Sequence, residues 1–215
     1  MRAVERIRMA NINNPDLVVN LIHQAAGIEG ARSVFQRIIE RDDPTMLDHL
    51  MEIKFGVLLT GLGFRARFEP TGSEGSDLVV ERDGVSAFLE VKRYRPKEGE
   101  YIPEHWGPYG TLPPYGDPNA QARIADDLRG KLHQIRPRDG VEHGILAIWS
   151  DREFFEDVDF ERAVHEISAE AEEKGLRFCI FGCHWVSPGR SFYCVPVSRL
   201  ETFKSWLEDI ESAEV

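Results

Sequence analysis

The sequence predicts an α/β layer fold in which helices flank a mixed sheet. Three observations predict it: helical periodicity before residue 64, strand-like runs on either side of Asp83-Gly84, and helix alternating with strand from residue 119 onward. The hairpin joins antiparallel strands and the later alternation joins parallel ones, hence a mixed sheet. A chain of 215 residues suits one large domain with a helical extension. The expected division is residues 1–44 as the N-terminal helical extension and 45–215 as the main domain.

Residues 15–41 read as two short helices. One rests on Leu17, Val18, Leu21 and Ile22, the other on Ala31, Val34, Phe35, Ile38 and Ile39, with a break near Gly27 and Gly30. Asp42-Asp43-Pro44 should stop the second, and Thr45 can cap a longer helix that ends at Gly61-Leu62-Gly63. That helix carries Glu52, and Gly56 one turn later should leave room on its face. Strand-like runs follow at 64–68, 77–81 and 85–92. The breaker-rich stretch 94–118 is too long for a simple connector, so it reads as a functional or disordered loop. Its Tyr94, Tyr101, Trp106, Tyr109 and Tyr115 could stack on bases or pack onto the body. Helices are expected at 119–135, 158–174 and 198–210, and strands at 144–149, 177–181 and 191–197.

Asp83-Gly84 permits a register calculation. A two-residue type I′ turn sets Arg82 opposite Val85 and, counting back, Asp77 opposite Glu90. Side chains alternate along a strand, so Asp77, Val79 and Glu81 share a face with Ser86, Phe88, Glu90 and Lys92, whereas Leu78, Val80, Ala87, Leu89 and Val91 fill the other. Like charges directly opposite each other destabilise a sheet. A divalent cation offsets that repulsion: two carboxylates and a backbone carbonyl, completed by water, describe a Mg²⁺ or Mn²⁺ site. Lys92, on the same face, can orient or polarise a water for attack on a phosphodiester. The alternative is a solvated sheet face with an ordinary ion pair, and the apolar runs DLVV and AFLEV weigh against it.

Ser76-Asp77, twelve intervening residues and Glu90-Val91-Lys92, with Glu52 on a preceding helix and Gln121 opening the next, resemble the PD-(D/E)XK nuclease superfamily. The resemblance covers roughly residues 46–150 and implies a restriction-endonuclease-like αβββαβ core. Ser76 stands where the family often has proline. The resemblance implies that Asp77, Glu90 and the Val91 carbonyl bind the metal and that Lys92 positions the nucleophilic water. It makes Glu52 an outer or second-metal carboxylate, and Gln121 or Lys131 a contact to substrate or to the site; Arg93 and Arg95, just past the motif, are further substrate-binding candidates. The function so implied is metal-dependent hydrolysis of phosphodiester bonds, in DNA ahead of RNA. Two other readings stand beside it: an inactive nuclease-fold module that binds nucleic acid or protein, and a homodimer or adaptor role for the N-terminal helices.

Net charge complicates the nucleic-acid reading. Lys and Arg number 26 against 37 Asp and Glu, a formal charge of -11, and an acidic surface repels a phosphate backbone. The excess is local: residues 151–175 hold 3 basic and 10 acidic side chains. Arg93, Arg95, Lys97, Arg123, Arg129, Lys131, Arg136 and Arg138 follow the motif as a candidate phosphate-facing set, and the acidic helix is expected to face away from it. Cys179, Cys183 and Cys194 are expected to be reduced thiols, and with His184 they match no familiar zinc spacing. No apolar run is long enough for a membrane span, and the first residues lack the apolar core of a secretion signal, so a cytoplasmic protein is expected.

Overall fold

A computed structural model describes residues 15–40, 43–68, 75–93, 120–141, 143–150, 157–173, 178–184, 190–195, 205–206, 208–210 and 212–213. The elements run α1 (Pro15–Ala25), α2 (Ala31–Glu40), α3 (Asp43–Gly61), β1 (Arg65–Phe68), β2 (Leu78–Arg82), β3 (Val85–Arg93), α4 (Ala120–Lys131), β4 (His143–Ser150), α5 (Asp157–Glu173), β5 (Phe178–His184) and β6 (Arg190–Val195). The strands form one 6-stranded sheet in sequence order. Pairs β1–β2, β2–β3 and β5–β6 are antiparallel, and β3–β4 and β4–β5 are parallel, with α4 and α5 as the crossovers.

The hairpin has the expected turn. Asp83 and Gly84 have φ of 55° and 77°, both in the left-handed region that a type I′ turn demands. Val79 lies opposite Phe88 and Val80 opposite Ala87, the register derived from the turn. The two faces then feed two cores. Leu78, Val80, Ala87 and Leu89 join Ile145 and Ala147 of β4 under α1, α2 and α3. Phe88 and Leu146 pack instead beneath α4 and α5 with Ile124, Leu128, Val164 and Ile167. Burial on both faces explains why these strands read as continuous apolar runs.

Two local expectations change. The third helix starts at Asp43 and takes in Thr45, because proline is well suited to a first helical turn, where its missing N–H bonds to nothing. Asp43-Pro44 therefore opens α3. The room left by Gly56 is filled from the sheet, since a Cβ there would stand 2.6 Å from Phe68 Cζ. Gly56 thus lets α3 press against β1 and contributes no space to a site.

The N-terminal helices share the first core. Val18, Ile22, Val34 and Ile38 are buried in the same cluster as Leu50, Phe55 and the sheet residues. The turn between α1 and α2 also touches the sheet margin, where Phe68 N–H donates to the Glu29 carbonyl at 2.9 Å. Trp206 and Ile210, from the C-terminal segment, close the cluster. Trp206 meets Phe64 edge-on at 4.8 Å, and Arg82 stacks over Phe64 at 4.3 Å while bonding Asp209 at 2.6 Å.

Stretch 94–118, with its aromatic residues, Arg95 and Lys97, lies outside the described residues. So do the side chains of Cys179, Cys183, His184 and Cys194, although the register sets Cys179 opposite Cys194 on β5 and β6.

Candidate active site

The site grows from the open end of the β2–β3 hairpin. Buried Ser76 donates through its hydroxyl to the Leu78 carbonyl at 3.1 Å, fixing the chain as it enters β2. Asp77 comes one residue before the ladder begins, because its carboxylate supplies the next bond: Val91 N–H donates to Asp77 Oδ2 at 2.8 Å. The Asp77 side chain so bridges to β3 beside Glu90, the juxtaposition that the turn geometry demands.

Burial pushes the Asp77 carboxyl well above the ordinary carboxylate range, and the charges of Glu52 and Glu90 push it further. The Val91 N–H and Lys131 pull against that rise. Burial likewise raises Glu90, with Lys131 opposing. Glu90 is 2% exposed. One of its oxygens is bound by Lys131 Nζ, and the other, Oε2, is buried with no hydrogen-bond partner.

Glu52, buried on α3, reaches the same space. Arg37 of α2 binds its Oε2, and His49, one turn earlier on α3, bonds its Oε1 at 2.7 Å. Both carboxylate oxygens are therefore already engaged. Glu52 adds negative potential to the site while its own charge is held by α2. Lys92, on the Glu90 face of β3, lies with Nζ 3.3 Å from Asp127 Oδ1 on α4.

These groups surround a cavity of about 340 Å³. Its lining includes Asp48, Glu52, Asp77, Glu90 and Asp127 against Lys92 and Lys131, with Val91 completing the wall. Five carboxyl groups facing two ammonium groups leave the cavity short of positive charge. Among the described residues, no three His, Cys, Asp or Glu side chains are gathered as a ready metal cage. The fit to a hard divalent cation comes from two carboxylates pressed together, one with a partnerless buried oxygen, beside the backbone of Val91.

The other sequence-predicted residues separate into two groups. Lys131 joins the site through Glu90. Gln121 does not line the cavity; its amide donates to Glu166 of α5 at 3.4 Å. Arg93 continues β3 opposite Trp149, its side chain outside the described residues. The proposed basic set is also thinner than expected. Arg129 is ion-paired with Asp126, Glu166 and Glu170, and Arg138 lies 3.8 Å over the Phe88 ring and donates to the Gln134 carbonyl.

The acidic helix is not turned away from the site. α5 packs on the Phe88 face of the sheet, the face that carries Glu90, because its apolar side shares the second core with α4. Among the described residues, none of this helix lines the cavity, and Glu166 and Glu170 are matched by Arg129.

Two site residues, Asp48 and Asp127, escaped the sequence reading. Each carried a signal: Asp48 precedes Glu52 by one helical turn, and Asp127 precedes Lys131 by one turn, so each shares a helix face with a residue already singled out.

No protein-family model matches the chain, and no curated protein matches it. Among solved structures it is similar to the restriction endonuclease FokI bound to DNA, at 13% identity and a TM-score of 0.30, covering 81% of this chain and 29% of that one. The chain thus spans less than a third of that protein's length, and the likeness is too faint to assign a fold.

Proposed function

We propose that the protein is a metal-dependent nuclease of the PD-(D/E)XK type, hydrolysing phosphodiester bonds in nucleic acid, DNA ahead of RNA. The observation that carries this reading is the Asp77/Glu90 pair: two carboxylates brought together across a hairpin, held above their ordinary pKa range by burial, in one cavity with Lys92.

Asp77 and Glu90, with the Val91 carbonyl, would hold Mg²⁺ or Mn²⁺. Bound there, the cation supplies Lewis acidity at the scissile phosphate and makes water easier to deprotonate. The protein's own groups do the rest. Val91 N–H fixes one Asp77 oxygen, so the carboxylate is held in place where it would serve as a cation ligand. Lys92, steered by Asp127, presents an ammonium to the attacking water or to the phosphate oxygen as charge builds in the transition state. Glu52, pinned by Arg37 and His49, raises the negative potential that draws the cation in.

Purified protein should cut or nick DNA with Mg²⁺ or Mn²⁺ and fail to do so in chelator. Asp77→Ala and Lys92→Ala should each abolish cutting. Cleavage that survives both substitutions would remove the assignment. The rival reading, a non-catalytic module with this fold, draws support from the pairing of Lys131 with Glu90 and of Lys92 with Asp127, which lets the protein satisfy much of its site charge without a cation. DNA binding with no turnover under any divalent metal would favour it.

A further inference from the structure

On α4, Asp127 and Lys131 stand one turn apart, and each meets the motif residue of opposite sign: Asp127 meets Lys92 at 3.3 Å, and Lys131 meets Glu90. The Glu90 contact is the unusual one. Glu90 is buried beside a second carboxylate and keeps one oxygen without a partner, so the Lys131 ammonium is the positive charge bound directly to it. The lysine side chain is 27% exposed against 2% for Glu90, which gives its long flexible stem solvent to move into while Glu90 stays in place. A divalent cation that took the partnerless Oε2 would share one carboxylate with the Lys131 ammonium on its other oxygen. In a partly desolvated cavity, two such positive charges repel strongly.

We propose that Lys131 is a built-in competitor for the divalent cation: its ammonium holds Glu90 in the metal-free protein, leaves Glu90 when the cation binds, and so sets the metal affinity of the site. This inference rests on the reading of Asp77 and Glu90 as a cation-binding pair. In its terms α4 stabilises the acidic cavity before metal arrives, and the contact that does so also lowers the affinity for metal.

The test is calorimetric titration of the full chain with Mn²⁺, comparing the wild-type protein with Lys131→Met and Lys131→Arg. The Met variant should bind Mn²⁺ at least about tenfold more tightly, because a like charge has been removed from the site, and the Arg variant should stay near wild type. Equal or weaker binding by Lys131→Met, with wild-type binding intact, overturns the competitor role and leaves the cation pair standing. Absence of Mn²⁺ binding in all three proteins overturns the cation-pair reading and this inference together. Should Lys131→Met fail to fold, wild-type protein carries the test through amine-reactive labelling followed by mass spectrometry. Lys131 labelling should rise at least about threefold on Mn²⁺ saturation as the ammonium is released. An unchanged labelling rate overturns the proposal.

Discussion

At Asp77 and Glu90 the folded protein holds carboxyl groups whose protonated forms burial favours. A raised folded-state pKa means that the native protein binds more protons than the unfolded chain between the ordinary value of 3.8 and the raised one. Stability in chelator should therefore fall as pH rises through that window, and a bound divalent cation should reverse the trend. Asp77→Asn removes the buried negative charge. It should raise the thermal midpoint of the metal-free protein at pH 8 by a few degrees, about 1 kcal/mol, and flatten the pH profile. A midpoint lower than wild type in chelator at pH 8 would contradict the burial argument. Val91 N–H can still meet the Asn amide oxygen, so the loss of charge is isolated from the loss of the hydrogen bond.

Among the elements, α3 and the C-terminal segment set how the site is held. α3 crosses β1 so closely that a Cβ at Gly56 would meet Phe68 Cζ at 2.6 Å and Leu78 Cδ2 at 3.4 Å. Phe68 is 1% exposed and has little space to yield. Gly56→Ala should thus destabilise the protein by about 1–3 kcal/mol in urea unfolding, the usual range for overpacking. It should also disturb Glu52, one turn away, and an unchanged unfolding midpoint would show that α3 can slide freely on the sheet. Trp206 is 2% exposed against Phe64. Trp206→Ala should lower stability by about 3–5 kcal/mol while leaving the Mn²⁺ affinity of the folded fraction unchanged. A milder loss would mean that the C-terminal segment contributes little to the first core. The N-terminal helices have a more direct part than an appended extension implies, since Arg37 of α2 is the cation on Glu52.

Over the whole molecule, charge is the governing quantity. With a net -11, and with Arg129 and Arg138 occupied by structural partners, the described surface offers nucleic acid limited attraction. On the proposed reading, a divalent cation among the five carboxyl groups of the cavity would be the bridge to phosphate. Fluorescence anisotropy with labelled duplex DNA should therefore show weak binding in chelator and binding at least about tenfold tighter in Ca²⁺, a hard cation that takes carboxylate oxygens as ligands. Tight binding in chelator, insensitive to Ca²⁺, would mean that another surface receives the DNA.

What the sequence determined by itself was everything governed by neighbouring residues. A type I′ turn at Asp83-Gly84 fixes the register of a whole hairpin, and register alone brings Asp77 to Glu90 and assigns the apolar residues to opposite cores. The helices and strands were legible because their periodicity is local, although ends slipped by up to four residues: Pro44 opened a helix, the Asp77 carboxylate replaced a ladder bond, α4 ended at Lys131 instead of 135, and β5 ran to His184 instead of stopping at 181. Of the helix expected at 198–210, only 205–206 and 208–210 fall among the described residues. What only the tertiary structure decided was where each helix comes to rest. Lys131 on Glu90, Asp127 on Lys92, Arg37 on Glu52, Phe68 filling the space over Gly56 and α5 lying on the site's face of the sheet all join residues far apart in the chain. The packing of two apolar layers against one sheet brings them together, and no spacing along the chain encodes that placement.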